Sequence, residues 1–99
     1  MAAVLVTISY KIKTGNANEY IAAARDFVAK VNAAQPSVNV TLYVDDDEAN
    51  HFTEVYECPD AGSYDTLEDS YTDEIRSLVS KVAGCVDGRQ AVKVLTKRA

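Results

Sequence analysis

The sequence predicts an α+β fold in which helices cover one face of a four-stranded antiparallel sheet. Its 99 residues suit one domain, residues 1–99, and 47% hydrophobic with 25% charged residues is the balance of a globular protein. Apolar residues recur at every second position in some segments and at every third or fourth position in others, as strands and helices require. These segments follow one another in the order β-α-β-β-α-β.

The first strand is predicted over Val4–Lys13, where apolar side chains fall at alternate positions. Asn16, followed three residues later by Glu19, is a capping-box pattern that opens a helix. This helix is expected to end near Ala34, because Gln35 precedes a proline and such residues avoid helical angles. Its apolar stripe consists of Tyr20, Ala23, Ala24, Phe27, Val28 and Val31.

A hairpin of two strands is predicted next. Val38–Val44 alternates with the strand period, and His51–Glu57 resumes an extended pattern after the polar connection Asp45–Asn50. The acids of this connection are ligands that hard cations prefer, but their spacing is not that of an EF-hand. We therefore expect a solvated turn that keeps sheet edges apart.

A second helix is predicted to begin at Asp60 or Ser63, either of which suits the N-cap, and to bend near Ser70. Its apolar positions are Tyr64, Leu67, Tyr71, Ile75, Leu78, Val79 and Val82. Gly84 suits the helix C-cap, and Gln90–Lys97 alternates as a last strand.

This order of elements predicts a ferredoxin-like sandwich, because both βαβ halves cross over the same face of the sheet in the right-handed sense. Two helices cover only one face, yet the strands carry apolar residues on both. Leu5 follows Val4 in its strand and Tyr43 follows Leu42, so in each pair the two side chains point to opposite faces of the sheet. A sheet face with such residues is a partner surface, so we expect a homodimer.

Composition excludes several classes of function. Fifteen acids against ten bases give a net charge of −5, which disfavours nucleic acid or an anionic membrane as partner. No segment approaches the roughly 18 apolar residues of a membrane span, and the N-terminus lacks a signal-peptide pattern, so a cytoplasmic location is expected. Cys58 and Cys85 have no zinc or redox spacing. Two free thiols are expected, with a mutual disulfide as the alternative.

Three stretches resemble the dimeric α+β barrel superfamily, and within it the antibiotic-biosynthesis-monooxygenase-like proteins, over nearly the whole chain. The first strand ending in Thr14-Gly15 is similar to that family's first strand and glycine turn. Phe52–Glu57 looks like its third strand, which commonly reads aromatic, then Glu, then an aromatic two residues on. Pro59–Ala61, leading to Tyr64, looks like the start of its second helix.

The resemblance implies a homodimer whose two sheets pack face to face, with a small cavity in each protomer between sheet and helices. Members include cofactor-independent monooxygenases of quinols and polyketide aromatics, haem degraders, and many proteins without a known activity. The chain departs from the family at Leu67, where members often have a histidine. It also has no Trp and no His besides His51, whereas the haem degraders rely on a Trp and a helix His.

Two residues are candidates for proton transfer. Histidine titrates near neutral pH, so such chemistry would first use His51, for which an exposed or capping role at a strand start is the alternative. Glu54 shares a stripe with Phe52 and Tyr56, and a carboxylate on a covered face needs a partner. Glu54 is therefore either a functional group or the partner of Arg76 or a lysine in an ion pair that holds the sheet.

Tyrosine is unusually frequent, with six tyrosines against two phenylalanines. Its ring is apolar, and its hydroxyl can bind a phenol or quinone oxygen. The four candidates for a substrate pocket are Tyr10, Tyr56, Tyr64 and Tyr71. Core packing is the alternative for these four, while Tyr20 is expected to be a helix anchor and Tyr43 a dimer contact.

Two functions agree with these features. The first is a monooxygenase-like oxidoreductase that acts on a small aromatic or quinol without metal or flavin, with His51 or Glu54 assisting proton removal. In the chemistry that the resemblance implies, the substrate carbanion itself reduces oxygen, and the protein positions it and stabilises charge. The second is a non-catalytic dimeric barrel that binds a small molecule or only assembles. The missing helix histidine favours the second function, and the tyrosine excess favours a ligand.

Overall fold

Four antiparallel strands form one sheet in the order β2-β3-β1-β4 in the computed structural model, which describes residues 2–99. The strands are β1 (Val4–Ile12), β2 (Asn39–Val44), β3 (His51–Cys58) and β4 (Val86–Thr96). The helices are α1 (Ala17–Ala34), α2 (Ala61–Asp65) and α3 (Asp73–Cys85), with a 3-10 helical turn (Leu67–Ser70) between the last two. The predicted ferredoxin-like α+β fold is confirmed.

The strand register gives the sheet a covered face and an uncovered face. Opposed residues in an antiparallel ladder point to the same side, and β1 and β3 pair Val6 with Tyr56 and Tyr10 with Phe52. These four side chains are buried beneath the helices. Their neighbours along each strand, such as Leu5, point to the other face and are only partly buried. We call these the helix face and the outer face.

Helix α1 buries the predicted apolar stripe against the helix face. Tyr20, Ala23, Ala24, Phe27 and Val31 are buried, whereas Val28 is partly buried at the margin of the stripe. Helix α3 adds Ile75, Leu78, Val82 and Cys85. Removing a side chain of leucine or phenylalanine size from water stabilises the fold by about 1.5–3 kcal/mol, so this burial is the main term that fixes the helices.

Helix α1 begins where the sequence predicts, but its capping box does not form. An N-cap acceptor needs an extended backbone, and Asn16 has φ −101° and ψ 3° instead. Its side-chain amide therefore donates to Glu19 Oε2 at 3.4 Å, and no cap hydrogen bond reaches the first turn. The backbone oxygen of Asn16 accepts the first helical bond from Tyr20 N at 2.9 Å.

The predicted second helix is broken rather than bent. Asp60 is the N-cap of α2, where its Oδ1 accepts from the Ser63 backbone N at 2.8 Å. Tyr71 and Thr72 then take extended backbone angles, so helical hydrogen bonding cannot continue. The Thr72 hydroxyl begins α3 by accepting from Ile75 N at 3.2 Å. Two N-caps within one apolar repeat thus define two helices.

The end of α3 differs from the prediction at Gly84. This glycine lies inside the helix, which continues through Cys85, and β4 begins directly at Val86. Val86 pairs with Ile12, and Gly88 has a φ of +86° close to the place where the β1–β4 register shifts. A glycine takes this angle without strain, so the bulge lets β4 begin earlier than its alternating pattern indicates.

The acidic connection between β2 and β3 is a tight turn, as predicted. Asp45 Oδ1 accepts backbone hydrogen bonds from Asp47 at 2.8 Å and Glu48 at 3.1 Å, and these bonds lower the pKa of Asp45. Over the described part of the chain, no group of three or more acids, histidines or cysteines is arranged to hold a metal ion.

Both cysteines are free thiols, as predicted. Cys58 and Cys85 are buried, and burial raises the pKa of each thiol. A thiol is nucleophilic only as the thiolate, so neither cysteine is activated for catalysis.

None of the helices within residues 2–99 is long and apolar enough to cross a membrane.

Candidate functional site

A cavity of about 360 Å³ lies between the helix face of the sheet and the segment that contains α2, the 3-10 turn and α3. Ile8 of β1 forms part of its floor, and Leu67 and Val82 form apolar parts of its wall. Ligand pockets in proteins have volumes of about 300–1,000 Å³, so the cavity suits a small molecule.

Aromatic rings form much of the wall. Three of the four predicted pocket tyrosines, Tyr56, Tyr64 and Tyr71, line the cavity, as does Phe27 of α1. The rings of Tyr56 and Tyr64 meet edge to face with centroids 5.5 Å apart, and those of Phe27 and Tyr71 do so at 5.9 Å. Edge-to-face pairs hold their rings at fixed angles, so the aromatic wall is preorganised.

Glu54 contributes a carboxylate to the cavity wall. It lies on the helix face of β3, and each of its oxygens accepts a tyrosine hydroxyl: Oε2 from Tyr10 at 2.5 Å, and Oε1 from Tyr56. Two phenolic donors therefore hold this carboxylate in place.

The predicted ion pair of Glu54 is wrong. Across residues 2–99, the salt bridges involve other acids, and no lysine or arginine lies within 4.0 Å of this carboxylate. Arg76 instead donates from Nε to the backbone oxygen of Tyr71 at 3.4 Å and is exposed. It lies in the first turn of α3 on the wet side of that helix, which explains why it does not reach the sheet.

Tyr10 and Tyr20 stand behind the cavity wall and form a chain of hydroxyls. Their oxygens are 2.6 Å apart, and both side chains are buried. A hydroxyl has one proton, and Tyr10 donates its own to Glu54, so Tyr20 must donate to Tyr10. Tyr20 is therefore more than the helix anchor that the sequence predicts, because it orders the hydroxyl that holds Glu54.

The cavity tyrosines keep their protons. Burial is the largest cause that raises the pKa of Tyr56, Tyr64 and Tyr71. The next cause is a negative charge, that of Glu54 for Tyr56 and that of Glu68 for the other two. Burial followed by the charge of Glu54 likewise raises the pKa of Tyr10. At neutral pH all four are hydrogen-bond donors.

His51 is not brought together with the other candidates. It is the first residue of β3 and lies an odd number of positions from Glu54, so it faces the outer side of the sheet. Its Nε2 is 3.2 Å from Glu48 Oε2, and it does not line the cavity. This placement agrees with the alternative of a half-exposed histidine at a strand start.

Two further acids line the cavity that the sequence analysis did not single out. Asp65 ends α2, Glu68 lies in the 3-10 turn, and both are exposed to solvent. A sequence signal existed for Glu68, because it follows Tyr64 by four residues, a spacing that places side chains on one helix face. Among the residues that the structure describes, no basic residue lines the cavity.

No family model matches the sequence, and a search of curated proteins found no match. Solved structures do match. A conserved protein from Methanosarcina mazei Go1 has a TM-score of 0.85 and 16% identity, covering 99% of this chain and 95% of that one. An antibiotic biosynthesis monooxygenase has a TM-score of 0.81 and 21% identity, covering 97% and 99%. SnoaB, a cofactor-independent oxygenase from Streptomyces nogalater, has a TM-score of 0.77 and 14% identity, covering 98% and 94%.

At 14–21% identity these likenesses bear on the fold and not on the reaction. They agree with the sheet order, the helix positions and the resemblance found in the sequence. The chain has the fold of the antibiotic biosynthesis monooxygenases.

Proposed function

We propose that the chain is a cytoplasmic monooxygenase-like enzyme that oxidises a small aromatic or quinol in this cavity without metal or flavin. The observation that carries the proposal is the carboxylate of Glu54, held by the hydroxyls of Tyr10 and Tyr56 at the wall of an aromatic-lined cavity. The fold shared with SnoaB, described as a cofactor-independent oxygenase, supports it.

In the proposed reaction Glu54 removes a proton from an acidic CH2 carbon of the substrate, which for a quinol is the CH2 of its keto tautomer. The resulting carbanion gives its electrons to O2, and a carbon–oxygen bond forms. The protonated Glu54 gives its proton to the peroxide anion, which becomes a hydroperoxide. Glu54 then removes the second proton of the former CH2 carbon while the O–O bond breaks, which forms the carbonyl, and it passes that proton to the departing hydroxide, which leaves as water. The substrate supplies all the electrons, so the protein's task is to position it and to stabilise charge.

Tyr64 and Tyr71 suit that stabilising role. Both line the cavity and remain protonated, and among the described residues neither hydroxyl has a hydrogen-bond partner. A hydroxyl donor aimed at a developing phenolate or enolate oxygen lowers the barrier most when the site is preorganised. The proposal assigns no role to His51, which faces the other side of the sheet.

Oxygen uptake with a panel of quinols and anthrone-type phenols tests the proposal. General-base catalysis contributes about 100-fold to 10,000-fold, so Glu54→Gln is expected to lower kcat by at least about 100-fold. Glu57→Gln is the matched control, since Glu57 lies on the same strand but on the outer face. Equal activity of the two variants would contradict a catalytic role for Glu54.

A non-catalytic dimeric barrel that binds a small molecule is the second candidate. One observation favours it: the position at which the resemblance implies a helix histidine holds Leu67, which is buried and lines the cavity. The cavity therefore contains no imidazole to assist proton transfer. Absence of turnover by the native protein, with binding of the same phenols, would establish this second function instead.

We also propose that two copies associate through their outer faces. Tyr43 and Leu95 are 57% and 49% exposed on that face, beside the half-buried Leu5 and Val55. Exposed apolar side chains grouped on one face mark a surface for contact with a partner. The expected mass in solution at micromolar concentration is that of a dimer, and a monomer mass would contradict the model.

A further inference from the structure

We propose that the cavity selects ligands in which an aromatic body carries a protonated or quaternary amine. The inference rests on the proposed function only in so far as it names the substrate class of the same cavity. It is carried by the charges of the lining, by the aromatic wall and by the absence of a neutralising cation among residues 2–99.

Within residues 2–99, the cavity lining contains three acids and no base. Glu54 is half-buried, whereas Asp65 and Glu68 are exposed to solvent. The side chains that hold Glu54 are tyrosine hydroxyls rather than a lysine or arginine, so its hydrogen-bond partners add no positive charge to the cavity. A concave site lined by one sign of charge concentrates its field in the cavity, so a cation is attracted and an anion is repelled.

Two basic side chains of the surrounding helices have partners other than the cavity acids. Lys30 of α1 pairs with Asp26 at 3.1 Å and with Glu74 at 3.0 Å. Arg76 of α3 binds the backbone oxygen of Tyr71. Neither side chain lines the cavity, so neither neutralises its carboxylates.

The aromatic wall suits the same ligand. Tyrosine and phenylalanine rings present negative faces that attract ammonium groups. Burial is the largest cause that raises the pKa of Tyr64 and Tyr71, and the charges of Glu68 and Glu54 raise both pKa values further. The negative electrostatic potential that retains the phenolic protons also stabilises a positive charge beside these rings.

The positions of the acids give the ligand an orientation. An ammonium group that contacts Asp65 and Glu68, which are exposed to solvent, keeps part of its hydration. The aromatic body then extends inward past Tyr64 toward Glu54, whose carboxylate remains free to take a proton. Recognition and proton removal therefore use different acids.

Three small phenols of similar shape test the inference: (3-hydroxyphenyl)trimethylammonium, its neutral isostere 3-tert-butylphenol, and the anion 3-hydroxybenzoate. Their affinities are measured by NMR titration of the native protein at low and at high salt. One charge in a partly desolvated site changes affinity by about tenfold or more, so the cation is expected to bind at least about tenfold tighter than the neutral phenol. The benzoate is expected not to bind.

Removal of the two exposed negative charges of the cavity lining provides the matched variants. Asp65→Asn with Glu68→Gln is expected to lower the affinity for the cation and to leave that for 3-tert-butylphenol unchanged, since both residues are exposed and the fold does not depend on them. Glu57→Gln on the outer face is expected to alter neither affinity beyond the small effect of a screened, distant charge.

Equal binding of the cation and the neutral phenol, or tight binding of the benzoate, would overturn the inference. Oxygen uptake plays no part in this experiment, so the two proposals fail separately. A cavity that binds the cation but never consumes oxygen contradicts the proposed reaction and retains the ligand class. Turnover of neutral phenols with no preference for the cation contradicts the ligand class and retains the proposed reaction.

Discussion

Val6 and Val94 are direct partners in the β1–β4 ladder and point to the same face of the sheet, yet Val6 is 0% exposed and Val94 is 60% exposed. Ile8 and Val92 repeat the contrast one pair further along, with Val92 57% exposed. In each pair both residues are β-branched aliphatic residues, and both occupy strand positions that point to the same face. The difference arises because the helices lie over β1 and β3 and leave β4 uncovered.

Coverage, rather than strand pattern, thus decides what each part of the sheet can do. Beneath the helices, hydroxyls lose water and must find partners, which produces the chain from Tyr20 through Tyr10 to Glu54. On β4 and the outer face, apolar side chains are exposed to solvent and are available to contact a partner. The covered part holds the candidate chemistry, and the uncovered part holds the candidate interface.

The largest expected difference between the two parts appears at high pH. Burial raises the folded-state pKa of Tyr10, Tyr20 and Tyr56 above the value of 10.0 that holds when the chain is unfolded. Above pH 10 the unfolded state therefore binds fewer protons than the folded state, and stability falls as pH rises; below it these groups contribute no pH dependence. Each such tyrosine costs about 1.4 kcal/mol per pH unit above its unfolded value.

We expect cooperative unfolding in this alkaline range, with the tyrosinate absorbance at 295 nm rising together with the loss of circular dichroism. Tyr20→Phe removes one of the protonated phenols and should raise the pH of unfolding, whereas Tyr43→Phe on the outer face should leave it unchanged. Ionisation of all buried tyrosines well before unfolding would show that the helices do not exclude water from the covered face.

The next largest difference is in core packing. Val6→Ala removes about two buried methylene equivalents and leaves a cavity, so urea denaturation should show a loss of about 2–3 kcal/mol. Val94→Ala, at the exposed partner position, should cost less than about 0.5 kcal/mol at protein concentrations where the chain is a monomer. Equal costs would mean that β4 is covered as well as β1.

The periodic elements could be predicted from sequence because local spacing determines them. Apolar alternation located β1 and β3, and the three-and-four spacing located α1 with its end at Ala34. The break before α3 was missed, because the apolar repeat continues through Thr72 while the backbone does not. The Thr72 hydroxyl is the N-cap of α3. The apolar repeat does not indicate which of the residues that could act as an N-cap begins a helix.

The site was predictable only in part. The candidates Glu54, Tyr56, Tyr64 and Tyr71 line the cavity, and they could be singled out because a covered carboxylate and aromatic residues stand out along a stripe. Partners 44 residues apart, such as Tyr10 and Glu54, cannot be read from spacing, since packing alone brings them together. His51 could have been excluded, because residues three apart on one strand face opposite sides.

The smallest difference concerns single hydroxyls, and it separates three tyrosines. Tyr10→Phe deprives Glu54 of a donor and Tyr20 of an acceptor, so it breaks two buried hydrogen bonds and should cost about 1–3 kcal/mol. Tyr20→Phe breaks only the outer bond of the chain and should cost about half as much, near 0.5–1.5 kcal/mol. Tyr43→Phe removes an exposed hydroxyl and should be nearly neutral. Urea denaturation of the three variants checks the order, and a Tyr20→Phe cost equal to or above that of Tyr10→Phe would contradict a chain in which Tyr20 acts through Tyr10.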